Sequence, residues 1–281
     1  MTRDEQYRTR VRAAALISRS EAQFSHESAA AMWRLPSIGP WPDIVHELTD
    51  TQPGGTSRVG IRRHGLGLDD HATIVDDVVV TSLERTVVDM ACTTSFVRAV
   101  AMADAALHVP DETEWRRKAT TALDLTTTLD SLRPYRGLAK AQRVLDFADG
   151  RSESPGESFS RVQFHALGYP PPLLQIDFFD EIGFIGCVDF YWPQLGLIGE
   201  FDGLSKYGRK RRYQSGLTLD QILMIEKKRE DRLRRVSSGF VRLDWQKVSN
   251  RRALAGFLRP HGLVEGRGSR RAPTSEPFSV H

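Results

Sequence analysis

The sequence predicts an α+β domain followed by an α/β domain with a mixed central sheet flanked by helices. Three observations carry that expectation. The chain has 281 residues, enough for two domains of ordinary size. Its texture changes around Pro134 to Ser154, where a helical stretch gives way to the polar, turn-rich run Asp149-Gly150-Arg151-Ser152-Glu153-Ser154. Beyond that run the apolar periodicity reads helix, strand, strand, strand, helix, strand. The expected division is residues 1–148, residues 149–260, and a basic tail, 261–281, whose Gly, Arg, Pro and Ser content predicts disorder.

Composition narrows the class. Hydrophobic residues make up 40% and charged residues 27%, the profile of a globular protein. No apolar run approaches the roughly 20 residues that span a bilayer. The segment Met1 to Arg12 is polar and lacks the apolar core of a secretory signal. Cys92 and Cys187 stand far apart with no C-x-x-C companion, which argues against a disulfide framework and a cysteine-based zinc site, so the chain reads as cytoplasmic. The formal charge is only +3, but Lys and Arg concentrate at residues 206–212, 227–235 and 267–271. Such a clustered face suits phosphates, although like-charge runs are also ordinary solvated helix surface. Arg209, Lys210, Arg211, Arg212, Lys228 and Arg229 are the candidate DNA contacts.

In the first half, Val11, Ala14, Ala15 and Ile17 suit an amphipathic helix from Glu5 to Ile17. A second helix is expected from Ser25, its cap, to Met32. Strands follow at Ile44–Leu48, Val59–Arg63 and Thr73–Val80. Thr81 and Glu84 have the spacing of a capping box, opening a helix that presents Leu83, Val87, Met90 and Ala91 on one face. Helices are also expected at Phe96–Leu107, within Glu114–Leu132 and at Ala139–Ala148. Nothing in this half reads as a gathering of His, Asp, Glu or Ser for chemistry.

The second half does gather acids. Leu174, Ile176 and Phe178 alternate, and Val188 with Phe190 continues the period of two. Residues 193–196, Pro-Gln-Leu-Gly, supply a four-residue turn. That turn places Trp192 opposite Leu197, Tyr191 opposite Ile198 and Asp189 opposite Glu200, with directly opposed Cβ atoms about 4.5–5.5 Å apart. Asp202 lies two residues on and points the same way. Opposed carboxylates destabilise a sheet unless neutralised, and a divalent cation is the simplest neutraliser. Oxygen ligands suit Mg²⁺ or Mn²⁺, so Asp189, Glu200 and Asp202 are the candidate metal ligands. The structural alternative is that Asp202-Gly203 merely turns the chain.

Upstream, Ser154, Pro155 and Glu157 read as a helix cap, first position and third position, so Glu157 serves either the backbone or the acidic site. Downstream, a helix from Leu219 to Val236 is expected to bury Ile222, Ile225, Leu233 and Val236. Glu226 and Arg229 fall almost on that stripe, facing either each other or the acidic patch. A closing strand is expected from Phe240 to Trp245.

Taken in order, residues 186–192 (Gly-Cys-Val-Asp-Phe-Tyr-Trp), 199–203 (Gly-Glu-Phe-Asp-Gly) and 226–233 (Glu-Lys-Lys-Arg-Glu-Asp-Arg-Leu) resemble the PD-(D/E)xK nuclease-like domain related to very-short-patch repair (Vsr) endonucleases. Residues 152–161 look like its opening helix in the actinobacterial branch. The resemblance spans about Ser152 to Val248 and implies a restriction-endonuclease-like fold, magnesium and DNA. It makes Asp189 and Glu200 the motif acids and Glu157 the helix acid. Asp202 stands where the motif has its lysine, which leaves Lys206 or Lys227 to supply the cation.

The first half is similar to AbiEi-type antitoxin regions at residues 25–30, 80–89 and 103–107. Such proteins often begin with a winged-helix segment, which here would precede Met1. Two functions follow from the resemblance: a metal-dependent DNA endonuclease of repair or defence, or a catalytically silent regulator that binds nucleic acid, a cognate toxin or a defence protein.

Overall fold

A computed structural model describes residues 1–18, 22–50, 60–109, 119–132, 136–203 and 217–266. The chain forms two compact units, Met1–Pro155 and Gly156–His281, each with a mixed sheet flanked by helices.

The first unit opens with α1 (Arg3–Ile17), capped by a reciprocal Thr2/Glu5 box that sequence inspection did not register. It buries Tyr7, Val11 and Ala14, while Ile17, its last residue, is exposed. Helix α2 (His26–Met32) is almost wholly buried, as its alanine run permits. Among the described residues the sheet has the order β3-β2-β1-β5-β4, from β1 (Gln23–Phe24), β2 (Val45–Leu48), β3 (Ile61–His64), β4 (Thr73–Val75) and β5 (Val78–Val80). The single strand expected at Thr73–Val80 is a hairpin. Asp76 and Asp77 adopt φ of 47° and 64°, the left-handed pair that a tight two-residue turn requires and that Asp tolerates.

Helix α3 (Leu83–Thr93) starts one residue later than the expected capping box. Ser82, not Thr81, accepts the Arg85 N–H, while the Thr81 hydroxyl pairs with Thr86 inside the unit. Its four expected apolar residues are all buried, as is an Arg85–Asp89 ion pair. Helices α4 (Phe96–Leu107), α5 (Ala122–Ser131) and α6 (Leu138–Phe147) complete the described elements of this unit.

The second unit follows the order expected of it. Helix α7 (Pro155–Ala166) precedes β6 (Leu173–Asp180), β7 (Gly183–Trp192) and β8 (Leu197–Phe201). The long helix Leu219–Val236 then leads to β9 (Gly239–Leu243). β6, β7 and β8 run antiparallel, and β9 joins β8 in parallel, the pairing for which a crossover helix is the ordinary connection. The β7–β8 register is the one the Pro193–Gly196 turn predicts, Trp192 opposite Leu197 and Tyr191 opposite Ile198. Gly196 takes the left-handed conformation (φ 57°) that closes it.

One face of this sheet carries the larger core, where Phe164, Phe190, Trp192, Leu197, Phe201 and Leu243 pack with Leu254, Leu258 and Leu263. The other packs Ile185, Val188, Ile198 and Phe240 against Leu233 of the long helix. Leu174 belongs to the first cluster and Ile176 and Phe178 to the second, so the simple alternation expected along β6 is broken. Gln175 stands between them at φ 52°, and this left-handed residue reverses the sequence of faces. β7 changes face at the same level, between Val188 and Phe190, and Asp189 is the residue at the change.

Three further expectations are corrected. Ile225 and Val236 are exposed, because the sheet-facing row of the long helix is Ile222, Glu226, Arg229 and Leu233. Strand β9 stops at Leu243, where Asp244 caps a new helix at Trp245 by accepting the Lys247 N–H. Packed structure also continues past residue 261, since Leu263 is 1% exposed and the Gly266 N–H donates to the Leu167 carbonyl.

Gly156 sits in the first turn of α7 directly against Phe201. A Cβ there would lie 2.0 Å from the Phe201 ring. Gly156→Ala is therefore expected to destabilise the second unit by about 1–3 kcal/mol through overpacking. A urea midpoint equal to or above that of the wild-type chain would contradict this.

Candidate functional site

The predicted carboxylates come from α7, β7 and β8. Asp189 is 7% exposed, and its Oδ2 accepts the backbone N–H of Phe201 at 2.7 Å. That bond takes over where the β7–β8 ladder stops, one step past the Phe190–Gly199 pair. It sets the Asp189 carboxylate against the residue that follows Glu200. Glu157, 2% exposed near the start of α7, accepts from Gln175 Nε2 at 3.1 Å, so the left-handed residue of β6 reaches the helix acid.

Glu200, 8% exposed, takes two hydrogen bonds from Arg229 Nη2, at 2.7 Å to Oε1 and 2.8 Å to Oε2. The same nitrogen reaches Glu226 Oε1 at 2.8 Å, so the two alternatives for this helical pair are both realised. Arg242, on β9 beside Glu200, donates to Glu226 at 3.0 Å and lies 2.9 Å from Glu230, 3.8 Å from Glu200 and 3.7 Å from Asp202. Neutralisation of the acidic patch thus comes in large part from two guanidinium groups. Burial alone depresses the pKa of Arg229, but its hydrogen bonds to Glu226 and the charge of Glu200 outweigh that and raise it above the ordinary value.

Of the predicted phosphate contacts, Lys228 is exposed, as is Lys227, whereas the Arg229 guanidinium is occupied by Glu200 and Glu226. Lys206, Arg209, Lys210, Arg211 and Arg212 lie outside the described residues.

The first unit holds a second constellation that sequence reasoning missed. Among the described residues, His26, His46 and His64 each offer a ligand atom within 4.8 Å of the other two, a cluster capable of chelating a metal ion. This overturns the expectation that the first half gathers no such residues. Parallel pairing of β2 with β3 places Leu48 opposite His64, so His46, two residues before Leu48, shares a face with His64 diagonally. His46 Nδ1 and His64 Nε2 are 2.9 Å apart. His26 enters from the first residue of α2, held at φ 50°, and stacks on His64 with centroids 4.0 Å apart.

Burial pushes the pKa of His46 and His64 down to about 4, and that of His26 well below its ordinary value. All three are neutral imidazoles at pH 7, the form that ligates metals. No local spacing announces the group, because His26, His46 and His64 stand far apart along the chain. Only the sheet register brings them together.

No helix among the described residues is long and apolar enough to cross a membrane. No family model matches the chain, and no solved structure matches it. Two uncharacterised proteins of Mycobacterium tuberculosis, from strains CDC 1551 / Oshkosh and H37Rv, are each 34% identical over 107 residues, 38% of this chain. The match spans 36% of each relative's length.

Proposed function

We propose that the unit Gly156–His281 is a PD-(D/E)xK-type domain and that the protein acts on DNA as a metal-dependent phosphodiesterase. The observation that carries this reading is the meeting of buried Asp189 with the backbone beside buried Glu200, one step past the last paired residues of β7 and β8. The order helix, three antiparallel strands, crossover helix, parallel strand supports it.

The donor chemistry fits Mg²⁺ or Mn²⁺. Asp189, Glu200 and Asp202 are hard oxygen donors, the kind these ions prefer. These three would hold the ion, with Glu157, hydrogen-bonded to Gln175 of β6, as the helix acid. When bound, the ion polarises the phosphodiester and favours deprotonation of water for attack on phosphorus. The chain's own residues fix the geometry. The Phe201 N–H pins Asp189, Arg229 and Arg242 orient Glu200, and Gln175 orients Glu157. Exposed Lys227 and Lys228 are available to the DNA backbone, giving a salt-dependent affinity.

Nicking of supercoiled plasmid is the test. Activity is expected with Mg²⁺ or Mn²⁺ and not with chelator. Glu200→Gln, which keeps the size of the side chain, should lower it by about 10²-fold or more, the scale of losing one electrostatic group at a reacting centre. Undiminished nicking by that variant would refute the assignment.

A second reading has one observation in its favour. Arg229 and Arg242 already compensate Glu200, and Asp202 occupies the place of the motif lysine, as in a nuclease fold kept only for binding. Such a regulator, with an AbiEi-like first unit, would bind nucleic acid, a toxin or a defence protein. Retention on plasmid DNA without ion-dependent nicking in the wild-type chain is the result that selects it.

A further inference from the structure

We propose that His26, His46 and His64 bind one zinc-class divalent ion that ties the start of α2 to strands β2 and β3, through His26 Nε2, His46 Nδ1 and His64 Nε2. The site is separate in chemistry from the carboxylates and does not depend on the reading above.

The first support is the state of His26. It is 2% exposed, and its Nδ1 lies 2.9 Å from the Ser25 hydroxyl. Its Nε2 is buried with no hydrogen-bond partner, and so is that of His46. An unsatisfied buried polar atom costs about 1–3 kcal/mol. With Nδ1–H donated to Ser25, His26 Nε2 is a lone pair enclosed in protein, which is what a metal ligand must present.

The second support is the outer layer. Metal-bound histidines characteristically donate their other N–H to a carboxylate, hydroxyl or carbonyl, which fixes the ring and its tautomer. Here Ser25 stands behind His26, and Glu27 Oε2 lies 3.7 Å from His46 Nε2. Ser25 and Glu27 flank His26 in sequence, so one short segment supplies a ligand, a hydrogen-bond partner and a nearby carboxylate.

The third is dimension. Tetrahedral zinc with Zn–N near 2.0–2.1 Å separates its nitrogens by about 3.4 Å. His46 Nδ1 and His64 Nε2 are hydrogen-bonded to each other at 2.9 Å, a bond that ligation would replace with a shift of tautomer, and the full set lies within 4.8 Å. Because the His26 and His64 rings stack at an interplanar angle of 18°, ligation requires these rings to turn edge-on about their χ angles. Three nitrogens leave the fourth position to water or an external ligand. Imidazole favours zinc, nickel and copper over magnesium and calcium. Arg62 and Arg85 oppose added positive charge at His26, and Glu27 favours it at His64.

The full chain, stripped with chelator and then held in excess Mg²⁺, should bind one Zn²⁺ per molecule by calorimetry, and Zn²⁺ should raise its thermal midpoint beyond what Mg²⁺ alone gives. Co²⁺ in its place should give the intense visible bands of a tetrahedral nitrogen site. Glu27→Gln should weaken Zn²⁺ binding about 10–100-fold. His64→Ala should abolish it, while Glu200→Gln leaves the stoichiometry unchanged. Absence of binding to the wild-type chain overturns the proposal, as does wild-type affinity in a folded His64→Ala. If that variant does not fold, wild-type affinity in Glu27→Gln together with an octahedral Co²⁺ spectrum overturns it equally.

Discussion

Arg229→Met is expected to destabilise the second unit by about 3 kcal/mol, the scale of breaking a buried ion pair by removing one partner. Methionine retains the apolar stem that packs over the sheet, so the loss isolates the guanidinium. What remains is Glu200, whose side chain is 10% exposed, with the Arg242 guanidinium 3.8 Å away. Arg242 relieves part of the penalty, which places the estimate at the lower end of the range for buried pairs. Urea denaturation of the wild type, both single variants and the double variant Arg229→Met/Glu200→Gln measures it. The double variant should recover part of the loss, because the stranded charge is then gone. A loss below about 0.5 kcal/mol would mean the pair behaves as a surface salt bridge.

Trp192→Ala is expected to cost about 3–5 kcal/mol. Trp192 is fully buried at the last position of β7, with its ring edge-on to Phe164 of α7 at 5.2 Å. Its Nε1 donates to the Pro170 carbonyl at 2.9 Å, so truncation also strands a backbone acceptor. Trp192→Phe restores most of the volume but not that bond, and should fall between. The check is again the denaturation midpoint. A loss near 1 kcal/mol for the alanine variant would show that α7 and β8 collapse into the space.

Much of this architecture was legible in the sequence because its signals are local. Phe96–Leu107 and Leu219–Val236 were expected with the bounds the structure gives them, and the Pro193–Gly196 turn set the β7–β8 register. The 222-226-229-233 spacing already pointed Arg229 toward the sheet. What could not be read depends on backbone states that side-chain pattern does not encode. Gln175 has no glycine-like signature for its positive φ, yet it decides which face Leu174 and Ile176 serve. The histidine cluster was hidden for another reason. Its members belong to three elements, and only a parallel pairing, invisible to periodicity, makes neighbours of two of them.

That β9 pairs with β8 in parallel has a kinetic consequence. The β6–β7–β8 meander can form from contacts close along the chain, whereas β9 must wait until residues 204–216 and the whole long helix have been traversed. Chain-closure entropy therefore falls on the last strand. Arg242 rides on that strand, so the acids of β8 and the long helix gain their second guanidinium only when β9 docks, and a nascent chain carries them incompletely compensated until then.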